Sequence, residues 1–257
     1  MKTRSLPVVL ILILSMLLLT ACNLPSKPAL QAQSPTSPAI NAPAVTPTPA
    51  RLCDNSFFPN SEGISWEYSG NNNVLGAYSR TDTVTASSGD AFTLETQLAG
   101  VSYAVNYSCT ADGLVAADPV QQYAGAILSS PDMPVNLKLG AVSGTTLPTR
   151  INPGDTWQQT AEWEASSTDL NVNGRFVFDY AAVGYENITV PFGNYNALRI
   201  DVGVRIQVSG LHIPAGSYAV SLWMAPGVGI VKSQGTSHVP QVDFSDSMEL
   251  TRFVSSP

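Results

Sequence analysis

Apolar and polar residues alternate with a period of two over long stretches of this chain. In ALRIDVGVRIQV, Leu198, Ile200, Val202, Val204, Ile206 and Val208 share one face, and Arg199, Asp201, Arg205 and Gln207 share the other. Alternation of that length predicts an antiparallel strand with one face buried and one wet. The same rhythm groups Phe176, Phe178 and Tyr180 in RFVFDYAAV, then Tyr218, Val220, Leu222 and Met224 in SYAVSLWM, then Ile64, Trp66 and Tyr68 in ISWEYS. Further strands are expected near 74–86, 91–99, 102–109, 155–165, 228–234 and 247–254. Only 118–128, DPVQQYAGAIL, has room for a short helix. The expectation is one all-β domain over 52–257.

Turn residues support this reading. PFGNY (191–195) and PAGSY (214–218) share a pattern in which proline presets the first turn dihedral and glycine accepts positive φ. A second echo pairs PNSEGISW (59–66) with NPGDTW (152–157), each placing a tryptophan three residues after a glycine. The two echoes suggest two similar β halves. WMAPGVGIVK (223–232) has the glycines of a phosphate cradle, but strand-type residues follow it where such a loop needs a helix N-terminus. It reads as a bend between strands.

The N-terminus breaks the alternation. Lys2 and Arg4 precede VVLILILSMLLL (8–19), a run too short to span a bilayer and of the length of a secretory hydrophobic region. LTAC, Leu19 to Cys22, follows and resembles the lipobox of bacterial lipoproteins at all four positions. The resemblance implies a signal peptide over 1–21, cleavage before Cys22, and acylation of Cys22 with diacylglycerol and a further acyl chain such as palmitate. Several chains anchor far more firmly than one. Residues 24–50 hold seven prolines and one charge, Lys27. With Cys22 they form a Pro/Ser/Thr-rich disordered linker over 22–51, reaching roughly 80 Å if extended. The expected location is extracytoplasmic, at a membrane.

Composition narrows the partners. Only 12% of residues are charged, and the net charge is −7. Removing 1–21, which carries two bases and no acid, leaves 10 basic against 19 acidic residues, or −9. A surface of that sign disfavours nucleic acid. Cys53 and Cys109 remain once Cys22 is acylated. In an oxidising compartment they are expected to form a disulfide, the alternative being two buried thiols.

Candidate chemistry is sparse. No C-x-x-C, H-x-H, EF-hand, G-x-S-x-G or S-x-x-K pattern is present, so no catalytic, metal or cofactor residue is assigned. Glu162 and Glu164 flank Trp163 as a carboxylate pair, which reads first as a wet strand face. His212 or His238 beside a serine and an acid would be needed for a hydrolase. Trp66, Tyr68, Trp157, Trp163 and Trp223 lie on three of the expected strands and could line a concave apolar groove for a lipid or glycan, with core packing as the alternative.

Three segments in order, Pro59/Gly63/Trp66, VPFGNYNALRI (190–200) and WMAPGVGIVK, resemble bacterial lipoproteins and exported proteins with uncharacterised β domains. That resemblance implies a curved antiparallel sheet, as a half-barrel or two-sheet domain, with 112–150 its weakest part. It implies no catalytic residue. The leading expectation is a lipid-anchored, non-catalytic binding or structural module whose partner is a hydrophobic ligand, glycan or envelope protein. The alternatives are a carrier of a hydrophobic ligand and a surface hydrolase.

Overall fold

The computed structural model describes residues 51–73, 75–120, 136–166, 171–210, 216–239 and 242–255. Cys22, the linker before 51, His212 and most of the expected helix at 118–128 lie outside these residues. Helical backbone begins at 119–120, where that segment stops being described.

Thirteen strands form one antiparallel sheet. They are β1 (Ser65–Asn72), β2 (Gly76–Ser87), β3 (Ala91–Leu98), β4 (Val101–Cys109), β5 (Gly113–Ala116), β6 (Asn136–Gly144) and β7 (Leu147–Pro148), followed by β8 (Thr156–Ser166), β9 (Asn171–Val190), β10 (Gly193–Val208), β11 (Gly216–Ala225), β12 (Gly229–Val239) and β13 (Val242–Val254). The order across the sheet is β6-β8-β9-β10-β11-β12-β13-β1-β2-β3-β4-β5-β7. All the strands expected from alternation are present. The three additional strands, β5 to β7, fall in the stretch where the sequence signal was weakest.

The order contains a constraint. β6 and β7 occupy opposite ends of the sheet, yet only residues 145 and 146 separate them in the chain. The sheet must therefore curl until its ends meet. Gly144 makes the corner at φ 81°, and a β-carbon there would overlap the carbonyl oxygen of Gln158. No strand ladder joins β5 or β7 to β8 among the described residues, so the sheet is curved but not closed into a barrel.

Side chains make the joint instead. Gln159 on β8 is 0% exposed. Its Oε1 accepts from Thr146 Oγ1 at 3.0 Å and from Tyr180 Oη at 3.3 Å, and its Nε2 donates to the Ala116 carbonyl on β5 at 3.4 Å. Thr146 Oγ1 in turn accepts from Ala116 N at 2.8 Å, and the Trp157 indole donates to the Thr146 carbonyl at 3.3 Å.

The curled sheet encloses the core, including Trp66, Phe178, Leu198, Ile200 and Leu250. One end is plugged by the segment before β1. There the Phe58 ring meets Trp66, Phe92 and Tyr107 at centroid distances of 5.5, 5.7 and 5.9 Å. The Cys53–Cys109 disulfide fixes this plug to β4, with Cα atoms 5.0 Å apart. The bend in WMAPGVGIVK is a second fastening. Gly227 N donates to the Ser56 carbonyl at 2.7 Å, and the Trp66 indole donates to the Val228 carbonyl.

The echo of 59–66 with 152–157 is structural. Gly63 N donates to the Val84 carbonyl, and Val84 N donates to the Ile64 carbonyl. Gly154 N donates to the Ala182 carbonyl, and Ala182 N donates to the Asp155 carbonyl. The two units belong to one sheet and act as equivalent corners within it.

Two predictions follow from the joint and the bridge. Gln159→Ala should destabilise the domain by about 3 kcal/mol in urea unfolding, because it leaves a cavity and strips partners from buried groups. Cys53→Ser with Cys109→Ser should cost about 4 kcal/mol, since the closed loop spans a sequence separation of 56.

Candidate functional site

The core face of strands β9 to β13 and β1 is largely apolar, and their outer face carries most of the polar side chains. An open trench of about 860 Å³ crosses that face. Strand register explains why it exists. Asp179, Gly203, Ala219, Thr236 and Ser245 are successive cross-strand partners, and Asn73 N continues the row by donating to the Ser245 carbonyl at 3.2 Å. A second row runs beside it through Ala181, Asp201, Ser221, Gln234, Ser247 and Asn71. No side chain in either row is larger than glutamine.

The neighbouring row is bulky. Arg199, Trp223, Lys232 and Glu249 are also cross-strand partners in sequence. The Trp223 ring lies between the Arg199 guanidinium and the Lys232 ammonium, each 5.8 Å from its centroid. Its indole donates to Glu186 Oε2 at 2.7 Å, and Lys232 Nζ donates to Glu249 Oε1 at 3.0 Å. Small residues bordered by this braced row leave a channel.

The two carboxylates of these rows, Asp179 and Asp201, are engaged, and Asp246, which also lines the trench, accepts from Tyr78. Arg205 pairs with Asp179 at 2.6 Å, and Arg199 with Asp201 at 2.8 Å. Gln158 Nε2 donates to Asp179 Oδ1 and Ser221 Oγ to Asp201 Oδ1, both at 2.7 Å. Side chains of Asn71, Gln234 and Thr236 make no hydrogen bond to the described residues, so they face solvent with donors and acceptors in hand.

A second open cleft, about 940 Å³, lies on the outer face of β6, β8, β9 and β10. Glu162 and Glu164 are both here, exposed on β8. Their cross-strand partners include Arg175 and Lys138. The carboxylate pair thus sits in alternating charge, the ordinary arrangement of a wet strand face.

The aromatic set expected to line an apolar groove divides differently. Trp66, Tyr68 and Trp163 are buried in the core, Trp157 packs against it stacked on Tyr180 at 5.1 Å, and Trp223, though also buried, stands by register on the opposite face in the braced row. These five share no open wall, so core packing corrects the groove expectation. Alternation alone shows which residues share a strand face, but not that the sheet curls and covers that face. The side chain of His238 is outside the described residues, as is all of His212. No group of three His, Cys, Asp or Glu side chains that could hold a metal converges among the described residues.

One interior region is polar. Arg80 Nε donates to Asp82 Oδ1 at 2.8 Å, and Thr96 Oγ1 donates to the same oxygen at 2.8 Å. Burial opposes the Arg80 charge, but Asp82 and nearby tyrosines outweigh it and raise the group above its ordinary value. Burial raises Tyr68 and Tyr103 as well. Tyr78 Oη donates to Asp246 Oδ1 at 2.8 Å. Glycines make room for this region, since a β-carbon at Gly70 would overlap the Tyr78 ring and one at Gly235 the Tyr218 ring. Asp246 and Asn72 at one end of the cluster also line the trench, whereas Arg80, Asp82 and Thr96 do not, and that part of the cluster is a structural pole.

No protein-family model matches the chain, and neither does any curated protein. Solved structures do. A protein from Bacteroides fragilis assigned as exported, with a YmcC-like fold, superposes with a TM-score of 0.52 at 16% identity, covering 79% of this chain and 100% of that one. A protein from Parabacteroides distasonis assigned as a lipoprotein superposes with a TM-score of 0.50 at 13% identity, covering 79% and 99%. The chain shares their fold, which agrees with the resemblance carried by the three sequence segments.

Asp246 supplies a pH test. Burial raises its carboxyl above the ordinary value, with hydrogen bonds from Tyr78 and Asn72 offsetting part of the shift. The folded state therefore holds this proton more tightly than the unfolded chain does. The resulting stability is fully present below the ordinary aspartate value, about 3.9, and is lost as pH rises through the folded value. Asp246→Asn keeps an acceptor for Tyr78 and removes that loss. It should melt higher than the parent at neutral pH, with the difference shrinking towards mild acid in thermal scans.

Proposed function

We propose that this protein is a lipid-anchored module of the cell envelope that binds its partner on the outer face of the sheet and performs no catalysis. The carrying observation is the contrast between inside and outside. The apolar interior, walled by Phe58, Tyr107, Trp157, Ile200 and Met224 among others, holds a cavity of about 30 Å³. A small-molecule site needs ~300 Å³ or more. The outer trench offers about 860 Å³. This contrast weighs against a carrier with an acyl chain in its interior, the second reading from sequence. The hydrolase reading lacks support because the trench carboxylates are engaged, Asp179 and Asp201 by arginines and Asp246 by Tyr78.

Anchoring rests on LTAC and the hydrophobic region before it. A shared fold with a protein assigned as a lipoprotein supports the same conclusion. Labelled palmitate should enter the wild-type protein and be lost with Cys22→Ser, which should move to the soluble fraction. An unlabelled, freely soluble wild type would remove the anchor. For the binding face, a photocrosslinking residue at Thr236 should capture an envelope component in intact cells. The same residue at exposed Asp112, away from the trench, should not. Equal capture at both positions, or at neither, would remove the outer-face reading.

A further inference from the structure

We infer that the trench across β9 to β13 and β1 binds an extended, uncharged glycan chain lying across the strands. This rests on the outer-face reading above and names its ligand.

The shape comes first. Six adjacent strands at ~4.8 Å spacing make a floor roughly 24 Å long, while its two rows lie only about 7 Å apart along the strands. Such a channel takes one linear chain. A pyranose unit is close in length to the strand spacing, so a glycan crossing the strands meets a new side chain with each sugar.

The chemistry comes second. Asn71, Gln234 and Thr236 offer unclaimed amide and hydroxyl groups, each able to donate and accept, as sugar hydroxyls require. Asp201 still has acceptor capacity beyond Arg199 and Ser221. Between these polar groups lie Ala181, Gly203 and Ala219, flat apolar ground against which the C–H face of a sugar ring can rest.

The charge comes third. No cation stands in either row, and the two arginines at the margins are already paired. A polyphosphate or polyanionic chain would gain nothing here and would face the carboxyl groups of Asp179, Asp201 and Asp246. An extended peptide would find no free backbone edge, because every strand of the floor is paired on both sides.

The floor can be filled without disturbing the fold. A β-carbon at Gly203 meets nothing within 4 Å. The experiment is calorimetric titration of the folded protein with chitohexaose, cellohexaose, xylohexaose and mannohexaose, and with the matching trioses. At least one hexaose should bind, more tightly than its triose. Gly203→Phe should weaken it at least ~10-fold, and Gln234→Ala by several-fold. Both variants should keep the parent melting temperature; if Gly203→Phe does not fold, Gln234→Ala with Thr236→Val carries the same expectation. No binding by any hexaose, or binding that these floor variants leave unchanged, overturns the glycan assignment. Loss of the Thr236 crosslink on filling Gly203, without hexaose binding, rejects the glycan and leaves the outer-face reading standing. If filling Gly203 affects neither measurement, both fall.

Discussion

The buried amide of Gln159 holds together a sheet that has no ladder at its seam. Curling brings β8 against β5 and β7, and the backbone groups left between them are out of reach of water. Gln159, Thr146 and the Trp157 indole satisfy those groups. An unpaired buried polar group costs more than a made hydrogen bond contributes, so the joint matters chiefly for the loss it prevents. Gly144 is its geometric counterpart. It lets one continuous segment serve opposite edges of the same sheet.

A filled interior leaves the open space of this domain on its outer face. Trp66, Phe58, Tyr107 and Phe92 fill one end, and the disulfide and the 226–228 bend tie down the segment that carries the plug. Little volume remains inside. On the other face, small residues fall into register over six strands beside a braced row of large ones. Neither row is contiguous in the chain; one draws its residues from six strands, the other from five strands and the turn residue Asn73. The channel is therefore a product of pairing register, and a one-residue slip in any strand would replace its floor with core side chains.

The polar pole built on Arg80, Asp82 and Asp246 has a different role. Taking an ion pair out of water is not in general a net source of stability against an apolar alternative. Its value is specificity. Arg80, Asp82 and Thr96 match only when β2 and β3 pair in the observed register, and Tyr78 reaches Asp246 only because Gly70 leaves room. These groups oppose the slips that would also ruin the outer rows.

Period-two alternation determined the fold class, most strand positions, and which face of each strand would be apolar. Composition carried the linker reading, and LTAC the anchor reading. Proline and glycine placement marked the bend at 226–228 and the twin corners at Gly63 and Gly154. β5 to β7 were not legible, because two are very short and the third, through Leu137, Leu139 and Val142, bulges between Leu139 and Val142. Curvature came only through the resemblance carried by the three segments, and its cause, the place of the weakest strands at the two ends of the order, was not legible. Tertiary structure alone decided that the tryptophans divide between core and outer wall, and that Asn71, Asp201, Ser221, Gln234 and Ser247 stand in one line. Local pattern reports a side chain's face. Neighbours across strands depend on pairing partners and register, set by residues far apart in the chain.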